Sequence, residues 1–174
     1  NAHEIAEICR SLEGLPLAIE LAAARIRLFS PQSMLEKLKR RLPLLTGGAK
    51  DLPERQQTMR QTIAWSYDLL EPDEAALFRR LAVFSGGAYL DMIESICYDD
   101  QCGINILSSL EALVRKNLIR TQENGSGNTR FNMLETIREF ALEQLEKNNE
   151  QTALFSQHAQ YFTDFAEKAE PYLI

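Results

Sequence analysis

Two short segments near residue 120 restrict the fold more than any other part of the chain. In "NLIRTQ", Asn117–Gln122, the side chains alternate Leu118 and Arg120 against Ile119 and Thr121. In "NTRFNML", starting at Asn128, Arg130 and Asn132 alternate with Phe131 and Met133, and the glycine-bearing "ENGSG" lies between the two segments. Alternation on both sides of a glycine-rich turn predicts a β-hairpin. A lone two-stranded hairpin is marginal in water and needs helices to cover it. Three amphipathic helices are expected just before it: Asp73–Phe84 with Leu77, Phe78, Leu81 and Phe84 inward, Leu90–Tyr98, and Gly103–Lys116 with Ile106, Leu107, Leu110, Leu113 and Val114 inward. Ser85-Gly86-Gly87 separates the first from the second. Three helices followed by a hairpin is the order of a winged helix, a helix-turn-helix variant.

The flanks are helical. His3–Leu12 has one apolar face, and Gly14 and Pro16 punctuate the chain after it. Pro16 suits the first turn of the next helix, where a missing N–H costs nothing. That helix carries Leu17, Leu21, Ala24 and Leu28, with Ala18 and Ala22 leaving room for a close neighbour. Ser30-Pro31 starts a further helix running to about Leu42, with Lys37, Lys39, Arg40 and Arg41 at its cation-favouring end. An irregular stretch, Pro43–Pro53 with Gly47-Gly48, precedes a helix from Glu54 to Leu70. After the hairpin, helices are expected over Glu135–Asn148 and Glu150–Ala169, the second with Leu154, His158, Tyr161 and Phe165 in one stripe. The expected architecture is mainly α: a helical bundle over 1–70, a winged helix with a β-hairpin wing over 72–148, and a terminal helix over 149–174.

No catalytic constellation is visible. GxxxxGK[ST], GxGxxG and HExxH are all absent, and the histidines are His3 and His158 alone. His158 lies in an apolar stripe and reads as a packed histidine. Cys9, Cys97 and Cys102 read as reduced thiols without metal-ligand spacing. The net charge of −6 argues against a general nucleic-acid binder. The third helix of the winged helix would be the DNA reader. Its polar positions, Asn105, Ser108, Ser109, Glu111, Arg115, Lys116 and Asn117, gather cations only at the end, and the wing adds Arg120 and Arg130 beside Glu123. DNA binding by this segment is therefore not expected. No apolar run is long enough to span a membrane, and a cytoplasmic protein is expected.

Several segments together resemble one family. "GLPLA" at Gly14–Ala18, the segment Trp65–Gly87, and "RFNMLETIREFALEQL" at Arg130–Leu145 resemble the NB-ARC-type signalling ATPases of the STAND class. Bacterial LuxR-type ATPase transcriptional regulators are most similar. The resemblance covers about Ile5 to Tyr161. It implies a non-catalytic piece of a larger nucleotide-dependent regulator that follows a P-loop core and precedes TPR-like sensor repeats. Those two regions would be its partners, and the terminal helix would offer a surface for self-association. ATP or ADP with Mg would bind the intact protein, not this segment. Gly14, Leu15 and Pro16 would border the nucleotide, with the proline ring against adenine. Met133, Leu134 and Glu135 correspond to the family's Met-His-Asp motif. Leu134 departs from it, because it cannot donate a hydrogen bond to phosphate. Glu135 would retain the acidic role as a cap at a helix start. Gly47-Gly48 and the Glu71-Pro72 junction would be hinges. The alternative functions are a DNA-binding winged-helix regulator and a helical protein-interaction module.

Overall fold

The computed structural model describes residues 2–25, 29–38, 45, 58–98, 103–123 and 127–169. Its elements are α1 (Ala2–Ser11), α2 (Pro16–Arg25), α3 (Pro31–Lys37), α4 (Met59–Asp68), α5 (Pro72–Leu81), β1 (Ala88–Tyr89), α6 (Leu90–Cys97), α7 (Ile106–Arg115), β2 (Arg120–Glu123), β3 (Thr129–Asn132), α8 (Glu135–Lys147) and α9 (Gln151–Ala169). They form two compact units. The first is Asn1–Leu69 with Glu135–Phe140, and the second is Leu70–Leu134 with Ala141–Ile174. The division falls within α8 and places α9 with the winged helix.

In the first unit α1 packs on α3 and α2 on α4. Leu12, Ala18, Leu21, Ala22, Met34, Leu45 and Ile63 are buried there. Ala18 and Ala22 sit in the core as the small-residue pattern requires. Ser30 caps α3 by accepting from the Ser33 N–H at 3.2 Å, with Pro31 at the first helical position. α4 starts at Met59 because Thr58, in extended backbone, caps it and accepts from the Gln61 N–H at 3.0 Å. The expected start at Glu54, the cations at 39–41 and the Gly47-Gly48 pair lie outside the described residues.

The second unit is a winged helix. Glu71 and Glu74 form a reciprocal capping box at the start of α5, with Pro72 in the first turn. α5 ends at Leu81, not Phe84, because the next three N–H groups bond to carbonyls three residues back, which tightens the last turn. Phe84 is nonetheless buried. α7 is capped by Asn105, whose side chain accepts from the Ser108 N–H at 3.1 Å. The sheet has three antiparallel strands in the order β1-β3-β2. Thr121 pairs with Phe131 across the expected hairpin, and Ala88 pairs with Phe131 on the other side. Sequence patterning does not reveal β1, because two residues are too few to show alternation.

α9 packs on α6. Just before it, Glu150 accepts from Arg79 Nε at 2.8 Å and Arg80 Nε at 3.0 Å, and Arg80 also donates to the Cys97 carbonyl at 2.9 Å. This largely buried cluster ties the end of α5 to the end of α6 and the start of α9. Leu154 is buried and His158 packs between Phe84 and Phe162, with centroids 5.6 Å and 4.7 Å away, as expected of a packed histidine. Burial lowers the His158 pKa.

The loop between α5 and β1 has no room for a side chain at Gly87. Its φ is +87°, and a Cβ there would lie 2.4 Å from the Phe131 carbonyl oxygen and 2.0 Å from Asn132 Oδ1. Arg130 fixes the same loop by donating to the Gly86 and Gly87 carbonyls at 2.9 Å and 3.1 Å, with its guanidinium over the Tyr89 ring. Gly87→Ala is expected to cost about 2 kcal/mol or more in denaturant unfolding, from the left-handed backbone and the contact with β3. Gly86→Ala, where a Cβ meets nothing within 4 Å, should cost only about 1 kcal/mol. Equal losses at the two positions would contradict the close approach.

Candidate functional site

Two places carry the functional expectations: the outer face of α7 with the wing, and the corner between α1 and α2.

The apolar stripe of α7 buries Ile106, Leu110 and Leu113, whereas Leu107, expected inward, lies off the stripe and faces solvent with Ser108, Glu111 and Arg115. Ser109, expected on the reading face, is buried instead. Beside this face lies an open groove of about 590 Å³ lined by Glu71, Asp73, Glu74, Ser108, Glu111 and Arg115. Lys116 does not project as a free cation, because its Nζ is paired with Glu74 Oε2. Burial pushes the Glu74 carboxyl up. Hydrogen bonds from Lys116 and from the Glu71 N–H outweigh it and leave the pKa below the ordinary carboxylate value. In the wing, Arg130 is engaged by the Gly86 and Gly87 carbonyls, whereas Arg120 and Glu123 are exposed. Of the four cations expected at this surface, two have internal partners.

At the corner, Glu13 and Gly14 both adopt left-handed backbone, with φ +56° and +68°. The Gly14 N–H bonds to the Cys9 carbonyl at 3.2 Å and the Leu15 N–H to the Leu12 carbonyl at 3.0 Å, which ends α1. Pro16 then opens α2 and is exposed, and Leu15 is half-buried. Gly14, Leu15 and Pro16 thus form a partly exposed corner between two helices.

The Met-Leu-Glu positions have separate roles. Met133 lines a small gap with Leu81, Phe84 and Phe131 in the second unit. Leu134 is the N-cap of α8 and offers no side-chain bond. Glu135 is the first helical residue rather than the cap, and its carboxylate pairs with Arg138. Glu13, which sequence reasoning passes over, does the capping: both its oxygens lie 3.0 Å from the Glu135 N–H. The corner and the start of α8, expected as two parts of one site, thus meet through a residue in neither motif. They are 122 residues apart, and no local pattern announces the contact.

Comparison with known proteins places part of the chain in a family. Residues 70–146 match the winged helix-turn-helix domain family. Over 167 residues, 95% of this chain, the sequence is 41% identical to the "Putative HTH-type transcriptional regulator" of Mycobacterium tuberculosis strain H37Rv and to its counterpart of the same description in Mycobacterium bovis. It is 38% identical over 163 residues to an "Uncharacterized protein" of M. tuberculosis, covering 92% of this chain. The chain spans 19% of the length of the first two relatives and 41% of the third. None of these matches bears on a nucleotide-dependent ATPase. Among the described residues no helix is long and apolar enough to cross a membrane.

The Glu74–Lys116 pair gives a pH signature. A carboxyl with a folded pKa below its unfolded value stabilises the fold fully above the unfolded value, near 4.5, and that contribution is lost as pH falls through the lower folded pKa. Lys116→Met should shift the Glu74 carboxyl upward in an NMR titration and flatten the acid limb of the stability curve. A Glu74 titration that Lys116→Met leaves in place would contradict the pairing.

Proposed function

We propose that this chain is a regulatory winged-helix segment of a larger transcription regulator, acting through protein contacts and conformational change and leaving DNA reading to another part of the protein. The observation that carries this reading is the state of the charges around α7. Glu71, Asp73 and Glu111 are exposed there, Lys116 is paired with Glu74, and Arg130 is spent on loop carbonyls. DNA affinity depends heavily on cations that neutralise phosphates, and this surface keeps Arg115 and Arg120 amid carboxylates. The names of the relatives support transcription regulation for the whole protein without assigning DNA contact to this segment.

A second reading is direct DNA binding by α7 and the wing. It is favoured by the fold itself, by the match of residues 70–146 to a helix-turn-helix family, and by the exposure of Arg115 and Arg120. The finer reading of the regulator as a nucleotide-dependent ATPase rests on the motif resemblance and on the exposed Gly14–Pro16 corner. In it this segment closes over a nucleotide held by a P-loop core, and the protein is cytoplasmic.

Fluorescence anisotropy with a DNA library at low salt separates the first two. The regulatory reading expects no sequence-selective binding below micromolar protein and no effect of Arg115→Ala or Arg120→Ala. Selective sub-micromolar binding that those substitutions abolish would establish the second reading. The purified chain is also expected to hydrolyse no ATP, and turnover that survives removal of contaminants would refute the assignment of catalysis to another segment.

A further inference from the structure

The geometry points to a latch on α8, built by Glu13 within the first unit. Only Glu135–Phe140 of α8 belongs to that unit, and the rest of the helix belongs to the second. Several contacts hold the part in the first unit. Both carboxylate oxygens of Glu13 take the Glu135 N–H at 3.0 Å, a charge-assisted cap at the positive end of the helix. Phe140 sets its ring against the edge of Tyr67 at 5.7 Å, and the Arg60 guanidinium lies 5.7 Å from the same ring. Ile137 is buried.

Two features of the same region oppose that docking. The Thr136 hydroxyl is buried with no hydrogen-bond partner, a cost that exposure to water would remove. Glu13 is held at φ +56°, where glycine or asparagine is the ordinary occupant. A glutamate at such a corner calls for a reason beyond the turn, and its bond to α8 supplies one. Leu134 has no oxygen with which to cap the helix in its place. The first turns of α8 thus combine the Glu13 carboxylate, the aromatic contact of Phe140 and the buried Ile137 with an unmet hydroxyl. A segment balanced in this way opens separately from the rest of the fold. Glu13 is a positioning residue that sets whether these turns are docked in the helical bundle. α8 runs on to Lys147 with its later residues in the other unit, and the latch does not depend on whether α7 touches DNA.

Backbone amide exchange on the intact chain tests this with two variants of opposite sign. Glu13→Gly relieves the left-handed backbone but removes the carboxylate. Exchange at Glu135–Ile137 should rise about tenfold or more while α5 and α7 keep their protection. Thr136→Val removes the unmet hydroxyl at nearly constant volume and should slow exchange over 135–140 by about threefold or more. The latch is overturned if Glu13→Gly leaves exchange at 135–137 unchanged or slower, if it raises α5 and α7 equally, or if Thr136→Val fails to slow exchange.

Discussion

Arg130 is the interaction on which the winged-helix unit depends. From the central strand of the sheet its guanidinium reaches the carbonyls of Gly86 and Gly87 and covers the Tyr89 ring. It thereby fastens the turn after α5 to β3 and brings β1 within pairing distance of Phe131. Gly87 permits this approach, since any side chain there would meet the β3 backbone. The hairpin, which would be marginal alone, becomes part of a three-stranded sheet set on a helical core. A second polar cluster, Arg79 and Arg80 closing on Glu150, joins α9 to the same core. Breaking one partner of such a buried pair costs about 3–5 kcal/mol because the other charge is left uncompensated. α9 therefore belongs to this unit by charge as well as by the burial of Leu154.

The same bonds bear on function. Arg130 and Lys116 read on paper as cations available to phosphate, and the fold uses both internally. Arg115 and Arg120 remain exposed beside Glu111 and Glu123. The surface that a winged helix would turn toward DNA is thus electrostatically mixed. This agrees with a segment that passes on a conformational state, and the aromatic residues exposed along α9, Phe155, Phe162 and Phe165, give it apolar surface for contacts.

Much of the fold was legible in the residues. The three helices and hairpin follow from the spacing of Leu77, Phe78 and Leu81, of Ile106, Leu110 and Leu113, and from alternation about a glycine-rich turn. Pro16, Pro31 and Pro72 mark helix starts because their missing N–H is harmless there. The misses have physical causes. α5 stops before Phe84 because its last turn tightens, although Phe84 keeps its core place. β1 is too short for a pattern and exists only through pairing with β3. Ser109 looked like a surface reader, but helix rotation sets it on the buried side. Of the site residues, the break between helices at Gly14 and the opening of α2 at Pro16 could be read directly. The role of Glu135 could not, because its cap comes from Glu13.

The sequence by itself determined the helix starts, the core-facing stripes and the hairpin, because each depends on neighbours a few residues away and on burial of apolar side chains. Only the tertiary structure decided which charges are free. Whether Arg130 meets a carbonyl or solvent, whether Lys116 meets Glu74, and whether Glu13 caps α8 are questions of distance between segments 42 to 122 residues apart. An ionic or hydrogen-bonded contact needs its partner within a few ångströms, and local periodicity holds no information about that.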